Sequence, residues 1–212
     1  MEIGSAQLIN QLADVTAAEV TFCNGHRVTT IITSTAGFVA GWINEVIQSH
    51  MPPASANGRV VVGLHVRHYR SDAIAILQLC VGNQCLIYQL MHRRDAGPPD
   101  RLYEFLDDDR FCFTGVAVER AVNMLRMQFG HTVRVWADLG DAASRRRADL
   151  RWAGLDQLAR EVMGVVIMRT NEVRWSSLLV PVLPMEHVPL ACVDSVFSYE
   201  LGMILLSSPS IS

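Results

Sequence analysis

The 212-residue chain contains no lysine: all 18 of its Lys-plus-Arg positives are arginine. Every lysine site for ubiquitin or acetyl attachment is thereby missing, and the cations that remain are guanidinium groups, which keep their proton near neutral pH. Selection against ubiquitin-directed turnover is one reading of this absence, and biased base composition is the other. Excess positive charge is missing as well. A formal net charge of -3 and a pI near 6.1 argue against a broadly basic surface that would grip a phosphate backbone, although a local basic groove stays compatible with that total. No apolar run reads as long and clean enough to cross a bilayer, and no basic segment precedes an apolar stretch near the start. The expectation is a nuclear or cytoplasmic protein without membrane partners.

Several chemistries are missing too. There is no Gly-rich phosphate loop and no Ser/His/Asp arrangement, and no His or Cys joins the cysteines at zinc spacing. The five cysteines, Cys23, Cys80, Cys85, Cys112 and Cys192, are odd in number and sit in apolar segments, as reduced core thiols do. Cys80 and Cys85 bracket VGNQ, a hairpin turn that would set them across a ladder from each other.

What is present is a core. Half of the residues are hydrophobic and 18% are charged, the proportions of a globular domain, and the length suits a single one. AEVTFC (18–23) and RVTTII (27–32), separated by Asn24-Gly25, read as a β-hairpin. GFVAGWINEVIQ (37–48) has Phe38, Trp42, Ile43 and Val46 at helical spacing. After the loop MPPASANGR come strands over 59–66, 73–79 and 85–90, which form an antiparallel meander. A short helix then follows Pro98-Pro99. FCFTGVAV (111–118) reads as a strand running into a helix over 119–129, and 133–136 as a short strand. Helices are expected over 155–163 and 187–206. A meander followed by strand-helix alternation implies an α/β fold: a mixed β-sheet, antiparallel meander plus parallel strands, flanked by helices.

Four blocks carry a resemblance: VVGLHVRH (61–68), AILQLCVGNQCLIYQL (75–90), FTGVAVERAVNML (113–125) with GLDQLAREVMG (154–164), and LACVDSVFSYELG (190–202). In order and spacing they resemble plant Werner-syndrome-like 3′-5′ exonucleases, along nearly the whole chain. The resemblance implies a ribonuclease H-like fold in one domain over 1–212, with a hairpin-and-helix lead-in (1–58), an exonuclease-like core (59–206) and a tail (207–212).

The family resembled uses four carboxylates and a tyrosine to hold two Mg²⁺ or Mn²⁺ ions, roughly 4 Å apart, for in-line attack on a phosphodiester. Its first strand carries Asp-x-Glu on one face, where this chain has His65 and Arg67. Its Glu-x-Asp at a helix start is matched by Glu119 and Ala121, and its Tyr-x-x-x-Asp by Leu190 and Asp194. Asp194 alone remains of the metal ligands. The resemblance therefore implies that metal cofactors and catalysis are lost, and that Arg67 pairs with the orphaned Asp194. A rival reading, one Zn²⁺ or Mn²⁺ on His65 and Asp194, needs His68, which lies on the opposite strand face unless a bulge intervenes.

The run Ser144 to Arg151 places Arg145, Arg146, Arg147 and Arg151 as candidate phosphate contacts, against the plainer reading of a solvated helix face. Asp107, Asp108 and Asp109 read as loop solvation. Trp42, Trp136, Trp152 and Trp175 are dispersed and read as core or interface residues rather than a stacking platform. The expected function is a catalytically inactive pseudo-exonuclease that binds a protein partner or another copy of itself, or holds nucleic acid without cutting it. The alternative is a residual or altered metal-dependent nuclease. High apolar content and nine methionines permit an extensive interface.

Overall fold

The computed structural model describes residues 4–22, 25–50, 58–69, 73–167, 169 and 178–207. Cys23 and Asn24 of the expected hairpin, residues 51–57 of the expected loop, and Trp175 lie outside the described residues.

The strands are β1 (Gly4–Leu12), β2 (Val15–Phe22), β3 (Arg27–Thr33), β4 (Val60–Tyr69), β5 (Ala73–Val81), β6 (Gln84–Tyr88), β7 (Phe111–Gly115) and β8 (Trp136–Asp138). They form one eight-stranded sheet in the order β1-β2-β3-β6-β5-β4-β7-β8. The β1-β2-β3 and β4-β5-β6 runs are antiparallel, whereas β3 meets β6, β4 meets β7 and β7 meets β8 in parallel. The lead-in hairpin is thus continuous with the core sheet. Cys80 and Cys85 are register partners across the β5–β6 turn, and the described cysteines 80, 85, 112 and 192 are free and buried.

Burial on both sides explains the apolar middle strands. On one face α1 (Ala36–His50), α2 (Asp100–Leu106) and α3 (Val118–Phe129) press Val39, Trp42, Phe105, Val122 and Leu125 onto Leu64, Leu77, Leu79 and Phe113. On the other lies α6 (Val188–Leu206), whose Ala191, Cys192, Val193 and Val196 meet Val20, Ile32, Ile76 and Ile87. A smaller cluster joins α4 (Leu139–Ser144) and Leu158 of α5 (Leu155–Leu158) to Leu201 and Leu205 of α6.

Two glycines set how closely α6 approaches the sheet. A Cβ on Gly63 would stand 1.9 Å from the Ser195 carbonyl oxygen, and one on Gly202 would stand 2.6 Å from Thr114 Oγ1. The Thr114 hydroxyl donates to the Ser198 carbonyl at 2.8 Å and closes the same seam. With the backbones this near, the α6 side chains that face β4 have fixed positions.

The sequence expectations need amendment in several places. β1 was not foreseen. Phe38 does not join the buried stripe of α1, which is Val39, Trp42, Ile43 and Val46; it is 39% exposed. The short strand expected at 133–136 pairs instead from Trp136 to Asp138, leaving Val133 as a core residue. The helix expected over 155–163 is one α-turn that widens into a π-turn over Ala159–Met163. An apolar segment long enough to cross a membrane does exist, at Met185–Leu206, but most of it is buried inside the fold, as a core helix is. Trp42 is buried, whereas Trp152 is 88% exposed and so is not a core residue.

Candidate functional site

The last residues of β4, the start of α3 and the first half of α6 surround a cavity of about 620 Å³. Strand alternation sends His65 and Arg67 to the same side of β4, and the close seam at Gly63 holds α6 so that Asp194 meets them. Arg67 is 8% exposed and Asp194 4%, so both charges stand largely outside water.

Arg67 Nη2 donates to Asp194 Oδ2 at 2.5 Å and approaches the Leu190 carbonyl at 3.4 Å. The other carboxylate oxygen, Oδ1, accepts from Arg169 Nη2, also at 2.5 Å. Arg169 in turn makes a fork to Asp156 of α5, with Nε and Nη2 both near 3 Å from its oxygens. The cluster is therefore Arg67, Asp194, Arg169 and Asp156, alternating in sign and neutral in sum. Sequence reasoning supplied its first pair. Arg169, 25 residues before Asp194, carried no signal that could have found it.

The titration of these groups follows from their surroundings. Burial pushes Asp194 toward neutrality, but His65, Arg67 and Arg169 together hold its pKa below the ordinary carboxylate value. Burial outweighs the pull of Asp194 on Arg67 and lowers it to about 10, still fully charged at neutral pH. Arg169 is raised: burial opposes its charge, and the hydrogen bonds and charges of Asp156 and Asp194 overcome it. His65 Nε2 stands 3.5 Å from Asp194 Oδ2. Its side chain keeps about a third of its surface exposed, yet desolvation and the two guanidiniums lower its pKa to about 4, against the pull of the carboxylate, so the ring is neutral at pH 7.

The other positions divide. Ala121 lines the cavity and supplies a methyl group. Glu119 is exposed on the first turn of α3 and does not line it. Leu190 packs into the α6-side core and reaches the cluster through its carbonyl alone. The register shifts between Arg67 and His68, with the extra residue in β5, yet His68 keeps to the α3 side of β4, opposite His65 and Arg67, where it lines the cavity and its Nε2 accepts from Arg120 Nη2 at 3.0 Å. Arg120, Met124 and Leu179 are cavity residues that the sequence reading passed over. Among the described residues, no group of three or more His, Cys, Asp or Glu side chains is disposed to hold a metal ion.

The arginine run lies away from the cavity lining, at the end of α4 and along a 3-10 turn over Ala148–Trp152. Arg147 is clamped by Asp149 at 2.7 Å and Glu161 at 2.9 Å, and Arg146 donates to the Ile204 carbonyl. Arg151 stands 3.4 Å from Asp141 and stacks over Trp152, and Arg145 is exposed. Of the acidic cluster, Asp107 is paired with Arg134 and Asp108 with Arg110.

Comparison with known proteins gives the fold its relatives. A 3′-5′ exonuclease of Arabidopsis thaliana is 23% identical over 138 residues, which is 64% of this chain and 46% of that protein. Escherichia coli RNase D, described as an exoribonuclease involved in structured RNA processing, superposes with a TM-score of 0.66 at 16% identity, covering 82% of this chain and 44% of that one. The EXD2 exonuclease domain soaked in Mn and dGMP gives a TM-score of 0.47 at 21% identity, over 84% and 88% of the two chains. No protein-family model matches. The chain spans less than half the length of the first two relatives. Its mixed sheet flanked by helices is the ribonuclease H-like exonuclease fold.

Proposed function

We propose that this 3′-5′ exonuclease-domain homologue, with its ribonuclease H-like fold, is a non-catalytic member of its superfamily that acts by binding a protein partner or a second copy of itself. One observation carries the first half of the reading: each carboxylate oxygen of Asp194 faces a guanidinium at 2.5 Å. A pair of hard divalent cations needs several oxygen donors and enough negative charge to offset two double charges. Among the described residues Asp194 is the one carboxylate lining the cavity, Ala121 offers no donor, and guanidinium N–H groups cannot ligate a cation. The residues present do not fit the metal pair that the exonuclease resemblance implies, and no catalytic step runs through it.

The binding half is supported by β1. It is an edge strand of nine residues with no charged side chain and no proline, and Leu8, Ile9 and Leu12 on it are all more than half exposed. Edge strands in soluble proteins are ordinarily blunted by charge, because their free backbone groups are a template for another strand. The acidic overall balance favours protein over nucleic acid as what is bound.

Incubation with labelled single-stranded and recessed-end DNA and RNA, in Mg²⁺ or Mn²⁺, tests the reading. The expected outcome is intact substrate together with a dimer or a copurifying protein, found by sedimentation and mass spectrometry. Cleavage that disappears in Asp194→Asn would refute it in favour of a residual nuclease, and a gel shift without cleavage would replace protein by nucleic acid as the partner.

A further inference from the structure

We infer that the cavity between β4, α3 and α6 is a metal-independent binding site for a small organic anion: an aromatic or aliphatic body carrying one carboxylate or phosphate monoester. The inference rests on the reading of this site as one that no longer holds metal, and it assigns the space a present use.

Two properties of the lining select that chemistry. The walls are mostly apolar, built from Leu64, Val66, Val118, Ala121, Met124 and Leu179. A cavity of about 620 Å³ falls within the size of small-molecule sites, and apolar walls with few polar groups are what such sites present. Among the described residues the charged groups of the lining are Arg67, Arg120 and Arg169 against Asp194. The acidic partners of Arg67 and Arg169 already balance them, with Asp156 outside the lining taking the second fork of Arg169. The excess therefore sits on Arg120, and among the described residues no carboxylate lies within salt-bridge distance of it.

Arg120 is placed to use that charge. It is exposed at the cavity mouth, where one of its N–H groups is given to His68 Nε2, fixing that nitrogen as an acceptor. A guanidinium has five N–H donors in a fork that fits a carboxylate or phosphate edge-on. An anion held there would direct its apolar body inward, over Ala121 and Met124. The methyl of Ala121 takes up little of the space that a side chain reaching toward a metal would fill.

A cation fits poorly beside Arg67 and Arg169, and a neutral apolar molecule would leave the charge of Arg120 without a counter-ion. An anion without an apolar body, such as inorganic phosphate, would leave the walls unused. These contrasts define the test.

The full chain, in buffer with EDTA, is titrated with 1-naphthoate, with its neutral amide 1-naphthamide and with inorganic phosphate, and binding is followed by intrinsic tryptophan fluorescence and calorimetry. Saturable one-to-one binding of naphthoate is expected, at least tenfold tighter than naphthamide or phosphate. Arg120→Gln, a change at an exposed side chain that leaves the core untouched, is expected to bring naphthoate down to the level of naphthamide. Met124→Trp, which fills the cavity, is expected to abolish binding of both aromatic probes. Equal affinity for naphthoate and naphthamide, or no saturable binding at millimolar concentrations, would overturn the inference. Because nuclease activity is measured in Mg²⁺ and Mn²⁺ and this binding in EDTA, the two readings fail separately: intact nucleic acid with no probe binding defeats the cavity site alone.

Discussion

Asp194 and Arg147 are mirror images. Asp194 is one anion between two cations, and Arg147 is one cation between two anions, Asp149 and Glu161, at comparable distances. The difference is water. Asp194 and Arg67 are buried, where charge is costly to hold unpaired, whereas Arg147 lies on the surface with solvent as an alternative partner. The same ion-pair geometry is thus structural at one place and nearly indifferent at the other, and a count of salt bridges would not separate them.

The largest expected effect breaks the buried member. Asp194→Ala leaves two guanidiniums facing each other in the cavity wall and is expected to destabilise the fold by about 3–5 kcal/mol, read from denaturant unfolding. Replacing both partners together, as Arg67→Met with Asp194→Leu, is expected to cost less than Asp194→Ala alone, because no buried charge of that pair is stranded. A double variant less stable than the single one would show that the pair contributes more than mutual compensation.

A smaller effect tests the neutral histidine. His65 has its pKa lowered from 6.5 to about 4 in the folded chain, so the unfolded chain takes up a proton that the folded chain refuses between those values. Its contribution to stability is complete above pH 6.5 and is lost as pH falls toward 4. His65→Gln should flatten the pH dependence of the unfolding midpoint across that window; a slope equal to that of the unaltered chain would contradict the burial and charge effects assigned to the ring.

The smallest effect belongs to the surface. Arg147→Ala is expected to leave the unfolding midpoint within measurement scatter, in low and in high salt. A loss comparable to that of Asp194→Ala would break the contrast between the two sites.

The residues that resemble exonuclease blocks made the central strands, α3 and α6 legible in the sequence, because the strands are apolar runs, α3 is amphipathic with strong helical spacing, and α6 is an apolar segment buried nearly all round. β1 was not legible: SAQLINQL mixes Ala, Gln and Asn with isolated leucines, and its pairing comes from β2 rather than from its own propensity. The pairing of Arg67 with Asp194 could be read from the positions they occupy in the resembled motif. The register shift between Arg67 and His68 could not, since a bulge is a matter of strand pairing and leaves no mark in the alternation itself. Arg169 was out of reach for a similar reason: it meets Asp194 and Asp156 through tertiary folding alone, and nothing in its own neighbourhood signals that contact.

The central claim, that two guanidiniums occupy both oxygens of Asp194 and leave no place for a divalent cation, is tested most directly by titrating the unaltered chain with Mn²⁺ and following free Mn²⁺ by electron paramagnetic resonance. The account expects the free-ion signal to match that of Mn²⁺ in buffer, with no stoichiometric uptake at millimolar ion. Uptake of one or two ions per chain that Asp194→Asn abolishes would contradict it.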